Sequence, residues 1–395
     1  MILAGLRVIE LATYVAAPAA ATALADYGAE VIKIERPPSG DPYRYLFKVP
    51  PMPVCEVNYN ILVDGRNKKS IFLNLASDAG RDAFLKLIAT ADILITNYQP
   101  AILEKLRIRH EDLEPANPRL IFAHLTGYGE HGPDVDRPGF DMTAYWARSG
   151  LMASVHDASA DPSLSTCGMG DHPTAMAFVS TILLGILRRQ QTGKGVKVFT
   201  SLLANGVWSN ACLTQAAICG GVPFAKPSRA AAINPAINHY QAADGKRFVL
   251  CGIRHEDWPR LCRAIERDDL LTDGRFATPA QREENARILV PMIDAVFASQ
   301  PFNHWAGQFA KHALAWGPVQ TPEDAANDPQ MAANGVFSEM NHPAHGALRI
   351  VNTPLNVDGA PKAEPTAPPE AGQDTHRVLT ALGYSGAEIA GLSTI

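Results

Sequence analysis

The chain has 395 residues, too many for one core of ordinary size, so two domains or one large domain with an insertion are expected. Hydrophobic residues make up 47%, charged residues 19% and the net charge is −5, a globular balance that speaks against a nucleic-acid partner or an anionic membrane surface. The six cysteines form no C-x-x-C pair, the start does not read as a signal peptide, and no run reaches the ~18–20 uncharged apolar residues of a membrane span; a cytoplasmic protein is expected.

Elements follow in a regular rhythm. "LRVIEL" reads as a strand, "AAPAAATALADYG" as a helix that Gly28 is placed to end, and "EVIKIE" as a second strand. A second β-α-β unit follows in "KKSIFLNL", "SDAGRDAFLKLIATA", capped by Ser77 or Asp78, and "DILITNY". "RLIFAHLTGYG" leads into a Gly/Pro-rich loop. A long apolar helix then runs from about His172 to Gln190, followed by "VKVFTSLLANGVW" as strand and helix. Strands alternating with helices predict an α/β fold with a parallel, Rossmann-like sheet. Ligands of such sheets sit beyond the carboxyl ends of the strands, here "LATYVAAP", "ERPPSGDPYR", "NYQPA" and "LTGYGEHGP".

After about Ile218 the texture becomes rich in Gly, Pro and Ala, with a hairpin expected at Asp244-Gly245. Residues 225–320 read as a smaller α+β domain. Residues 1–224 form the large domain, and 321–395, with little core of its own, is expected to pack back and complete it.

Signatures of other chemistries are missing. The first turn carries no G-x-G-x-x-G and no phosphate-binding P-loop occurs, which lowers nicotinamide and nucleotide-triphosphate chemistry. H-E-x-x-H and G-x-S-x-G are absent as well. "IERPPSGDPYR" places Arg36 just past a strand end and Arg44 at the far side of a Pro-rich turn, a solvated turn or a phosphate grip. Asp171 in "GMGDHPTAMAF" heads the long apolar helix. A carboxylate there suits a helix cap, worth ~0.5–2 kcal/mol, and equally a nucleophile, and the residues alone leave both open.

Taken in order, "LAGLRVIEL", "LADYGAEVIKIERPPSGDPYR", "NKKSIFLNL", "ADILITNYQPAILEKL", "NPRLIFAHLTGYGEHGP", "GMGDHPTAMAFVSTILLGILRRQQTGKG" and "AADGKRFVL" resemble the family III CoA-transferases, a group that includes α-methylacyl-CoA racemases. The resemblance implies a Rossmann-like large domain built from both chain ends, a smaller inserted domain and an interlocked homodimer. It implies an acyl-CoA and a small carboxylic acid as substrates, with no permanently bound cofactor and no metal. Succinyl-CoA is a plausible donor on the same ground. Carried over by motif, Arg36 contacts CoA, Leu73 and Asn97 line its path, Lys105 stands where some relatives have arginine, and Tyr14 and Val15 fall in the first loop, where formyl-CoA transferase has a glutamine. Asp171 matches the catalytic aspartate, which forms a mixed anhydride and then a thioester with CoA. The helix N-terminus is expected to hold it ionised, and N–H groups of the "GMG" turn to face an oxyanion.

Racemases of the group carry a histidine before the aspartate of "GFD"; here it is Phe140 before Asp141, and phenylalanine moves no proton. Transfer is therefore expected over racemisation, and the presence of Asp171 favours it over a non-catalytic CoA-binding role. Arg137, Arg148, Arg229 and His239 are candidates for pairing with a second acidic group on the acceptor, and "NPAINHYQ" for shielding the intermediates.

Overall fold

The strand-helix rhythm of the first 200 residues builds one sheet. β1 (Arg7–Leu11), β2 (Glu30–Glu35), β3 (Lys68–Phe72), β4 (Ile93–Thr96), β5 (Ile121–Thr126) and β6 (Val196–Ser201) pair in the order β3-β2-β1-β4-β5-β6. Every pairing is parallel. The computed structural model describes residues 1–157, 160–222 and 226–392.

Near-continuous apolar strands are what a sheet covered on both faces requires. Successive side chains leave a strand on opposite faces. Val8, Val31, Ile93, Ile95 and Ile121 thus enter one core, and Ile9, Ile32, Ile34, Ile71 and Leu94 the other. The first core is closed by the helices Ala16–Asp26 and Asp171–Thr192, through Ala17, Ala20, Leu24, Ala175, Phe178 and Ile182. Small side chains let both helices lie close to the sheet. At Gly185 an added Cβ would come within 3.1 Å of Ile121 and Val198. The second core is closed by Asp78–Ala89, capped by the Ser77 hydroxyl, which accepts from the Gly80 N–H, and by two C-terminal helices, Thr375–Ala381 and Gly386–Leu392. Leu379, Ile389 and Leu392 of the chain end therefore pack where the sequence lacked a core of its own. Gly28 follows the Ala16–Asp26 helix with φ +97°, the left-handed turn expected of it.

The chain divides into two compact units, one of Met1–Met152, Leu164–Gly221 and Ala333–Ile395, the other of Ala153–Ser163 and Val222–Ala332. The expected boundary between 224 and 225 lies outside the described residues. In the smaller unit β7 (Ile237–Gln241), β8 (Arg247–Cys251) and β9 (Trp316–Pro318) form an antiparallel sheet, with Gly245 at φ +80° in the expected hairpin. Its core is aromatic, with Tyr240, Phe248, Phe297, Trp305 and Phe309 in contact. Residues 321–332 fall with this unit rather than with the larger one. The reason is local: the Val319 N–H donates to the Arg247 carbonyl beside β9, and the Pro322–Ala326 helix starts at once on its Thr321 cap. In the larger unit β10 (Phe337–His342) and β11 (Gly346–Val351) pair as a hairpin. Among the described residues no helix is long and apolar enough to cross a membrane.

Candidate active site

Under the carboxyl ends of β1 and β2 lies a buried network of charges. Lys33 Nζ sits 2.7 Å from Glu10 and 2.8 Å from Asp41, and Lys68 Nζ is 2.7 Å from the other Glu10 oxygen. Each carboxylate has a cation or a backbone donor, as buried charges require. Asp41 Oδ1 accepts from the Tyr14 N–H at 3.1 Å and the Tyr43 N–H at 2.9 Å. Asn97 donates to the Thr13 carbonyl at 2.8 Å and accepts from the Thr13 N–H at 3.1 Å. The first loop is thus held from two sides, and Tyr14 is kept at φ +63°, a conformation a bulky side chain rarely adopts. Its ring meets Phe140 edge-on, centroids 5.6 Å apart.

Two clefts open above these strand ends, beside the point where the strand order reverses between β1 and β4. The larger, about 660 Å³, is lined by Leu11, Ile34, Arg36, Leu73, Tyr98, Lys105 and others. The second, about 370 Å³, is lined by Tyr14, Asn97, Tyr98, Arg137 and Phe140 among others. Tyr98 and Ile102 border both. Arg36, Leu73 and Lys105 therefore come together on one cleft, and Tyr14 and Asn97 on its neighbour. Val15 joins neither; it is buried against Tyr43 and Ile61.

Arg36 and Lys105 are exposed and make no ion pair among the described residues. Arg44, read from sequence as the far end of a phosphate grip, is instead committed to structure. Its guanidinium clamps Glu35 at 2.8 and 2.6 Å and donates to the Pro369 carbonyl. Burial alone would raise the Glu35 carboxyl, but Arg44, Lys33 and Ser70 bring it down to about 2. Of the other cations singled out, Arg148 pairs with Asp134 and Arg229 with Asp294, and Arg137, 3.8 Å from Asp134, also lines the second cleft.

Asp171 is the first residue of its helix, and Gly170 holds the cap position. Among the described residues its carboxyl takes part in no hydrogen bond and no ion pair. It is not a cap. Nor does the helix N-terminus keep it fully ionised, as expected from sequence. Burial first, then the Asp141 carboxylate and more weakly Asp64, raise it to about 7, against a partial pull from His172. Asp141 accepts from the Gly168 N–H at 2.9 Å and from the Met142 N–H at 2.7 Å. Of the turn expected to face an oxyanion, Gly168 N–H is thus spent on Asp141 and Met169 N–H on the Thr166 carbonyl, leaving that of Gly170. Gly170 itself lies against the Tyr145 ring, where a Cβ would come within 2.5 Å.

His172 bridges two elements. Its Nδ1 is 3.2 Å from the Gly168 carbonyl oxygen and its Nε2 3.2 Å from Asp64 Oδ1, while the Tyr43 hydroxyl donates to the other Asp64 oxygen at 3.0 Å. Sequence reasoning missed Asp41, Asp64 and His172. The first two lie in turn and helix segments with no local signature of chemistry, and His172 passed as part of a helix start. The signal that was available is its place beside Asp171.

Three comparisons bear on this arrangement. The family model described as CoA-transferase family III matches residues 3–375. The (R)-2-hydroxy-4-methylpentanoate CoA-transferase of Clostridioides difficile is 32% identical over 394 residues, covering 98% of this chain and 97% of that protein. The succinyl-CoA:glutarate CoA-transferase of Mus musculus is 32% identical over 380 residues, covering 95% and 85%. A crystal structure of a CAIB/BAIF family protein from Brucella suis superposes with a TM-score of 0.84 at 26% identity, covering 96% of this chain and 99% of that one.

Proposed function

The chain belongs to CoA-transferase family III and is an enzyme of that family, and from that membership we propose that it moves CoA from an acyl-CoA donor to a small organic acid through covalent intermediates on Asp171. The observation that carries the reading is the half-buried Asp171 carboxyl, which has no partner among the described residues. A carboxylate without hydrogen bonds or counter-ion attacks without first breaking an interaction.

The steps balance without water or metal. One Asp171 oxygen attacks the thioester carbonyl, the C–S bond breaks, and CoA thiolate leaves behind a mixed anhydride. The thiolate attacks the Asp171 carbonyl carbon and expels the donor acid, which carries that oxygen away. The acceptor carboxylate then attacks the aspartyl thioester, restoring an oxygen to Asp171 and releasing the thiolate. The thiolate takes the acceptor acyl group, and free Asp171 returns. The Gly170 N–H is the turn's remaining donor for the tetrahedral oxyanions. CoA lies in the larger cleft, with Arg36 and Lys105 on its phosphates and Leu73 along its path. Tyr14, Val15 and Asn97 form and brace the loop toward the second cleft.

Succinyl-CoA is the donor we favour, supported by the mouse relative's name; the two relatives' acceptors differ, so the acceptor class is left at small organic acids. The larger unit serves as the CoA-binding domain and the smaller unit, which includes residues 321–332, as the second, in an interlocked cytoplasmic homodimer. Phe140, packed on Tyr14, gives a two-base racemase no second base. The test is a matrix of acyl-CoA donors against acids, read by mass spectrometry. CoA exchange by the wild type and none by Asp171→Ala is expected. Full exchange by Asp171→Ala, or rapid α-deuterium exchange of a 2-methylacyl-CoA in its place, would overturn the reading.

A further inference from the structure

We propose that His172 is a positioning residue for this chemistry, a standing imidazolium that ties the Gly168 carbonyl to the Asp64 carboxylate and so fixes the turn that presents Asp171. The inference rests on the reading of Asp171 as nucleophile.

The geometry points to the protonation state. A backbone carbonyl and a carboxylate are acceptors only, and a neutral imidazole has one N–H to give. With Nδ1 and Nε2 both 3.2 Å from such oxygens, a neutral ring would set a lone pair against a lone pair at one of them. Only the imidazolium donates to both. The turn is fitted to the ring as well: Gly168 sits at φ +80°, and a Cβ there would meet His172 Nδ1 at 2.9 Å. The Gly168 carbonyl accepts from the His172 backbone N–H at 3.1 Å and meets its ring at 3.2 Å, while the Gly168 N–H donates to Asp141, so the ring adds a tie to Asp64 that the backbone bond alone does not make. Two residues further on stands Gly170, wedged against Tyr145, and then Asp171.

The charges around the ring are accounted for element by element. Asp64 comes from the helix Tyr59–Asp64, with its second oxygen on the Tyr43 hydroxyl and its carbonyl on Lys68 Nζ. Asp171 lies on the ring's own helix, and Asp141 stands beyond Gly168. Arg66, which lines the same apolar cleft as His172, is paired bidentately with Asp26 and does not compete for Asp64. Both ring nitrogens of His172 are thus engaged within the protein although the ring is exposed at the cleft, and the role assigned to it is one of position and charge.

The test combines a spectrum with a rate. In ¹⁵N-histidine-labelled enzyme, the ring signals lost in His172→Gln should show both nitrogens protonated at pH 7.5, where an ordinary histidine, with a pKa of about 6.5, is neutral. Formation of the acyl or CoA adduct on Asp171 should slow about tenfold or more in His172→Gln, with KM for acyl-CoA nearly unchanged. The ascending limb of the rate against pH should move up, because the cation that favours ionised Asp171 is gone. His172→Asn, which keeps a donor toward Gly168, should recover part of the rate and not the pH limb. A neutral ring at pH 7.5, or adduct formed at the wild-type rate with an unmoved limb in both variants, would overturn the proposal. Absence of any Asp171 adduct in the wild type would instead overturn the nucleophile reading beneath it, a result the ring spectrum does not affect.

Discussion

Asp171→Asn should make the protein more stable at alkaline pH while removing its activity. The wild-type carboxyl titrates at about 7 rather than the ordinary 3.8. Its folded-state value is raised, so the folded protein binds the proton more tightly than the unfolded chain does. The stability linked to that proton is fully present below pH 3.8 and is lost as pH rises to about 7. Fully ionised, the group costs the fold about 4 kcal/mol, at roughly 1.4 kcal/mol for each tenfold change in proton affinity. That figure already includes any favourable pairing of the anion with the helix N-terminus, so burial and Asp141 repulsion win, and a gain of about 4 kcal/mol at pH 8 is expected. The assay is thermal unfolding of both proteins at pH 4, 6 and 8. The variant's advantage should be near zero or slightly negative at pH 4 and grow steadily to pH 8. An advantage that does not change with pH, or a variant less stable at pH 8 than at pH 4 relative to wild type, would refute the account of the site's electrostatics.

Other outcomes follow from single contacts. Arg36→Ala should raise KM for acyl-CoA about tenfold, the worth of one charge-assisted hydrogen bond, in a salt-dependent way with kcat retained; an unchanged KM removes Arg36 from the CoA site. Gly170→Ala pushes a Cβ into a Tyr145 ring whose hydroxyl is held by Ser209 at 2.7 Å. It should cost about 1–3 kcal/mol of stability and disturb the turn before Asp171, which unfolding and rate measurements together would register. Lys33→Met leaves Glu10 and Asp41 facing each other across a buried site without their shared cation. A loss of about 3–5 kcal/mol is expected, read by denaturant unfolding, and wild-type stability would show that the network is not held by this lysine.

The sheet was readable because its physics is local and periodic. Runs such as "RVIEL" and "EVIKIE" read as strands, their alternation with helices predicts a covered parallel sheet, and Gly28 marks the helix end between them. The three-stranded sheet of the smaller unit was half readable: the Asp244-Gly245 hairpin announced β7 and β8, but β9 is only three residues long and comes from 65 positions beyond β8. Short helices such as Tyr59–Asp64 carried no long amphipathic pattern, and with them Asp64 went unnoticed. Asp171 was visible as a residue but not as an environment. Its elevated proton affinity comes first from burial that only the assembled turn provides, and then from Asp141, thirty positions earlier. Arg44 shows the converse: a side chain that looks like a ligand grip in sequence is claimed by Glu35, which lies one strand end away. Arg36, with no such partner among the described residues, lies at the cleft.

The claim on which the rest depends is that Asp171 becomes covalently modified. The direct measurement is peptide mass spectrometry of enzyme mixed briefly with acyl-CoA and quenched in acid, with and without hydroxylamine. The account predicts CoA or acyl mass on the peptide containing Asp171, replaced by a hydroxamate after hydroxylamine and absent in Asp171→Asn. An unmodified Asp171 in enzyme that is turning over, or the same adduct on another residue, would contradict it.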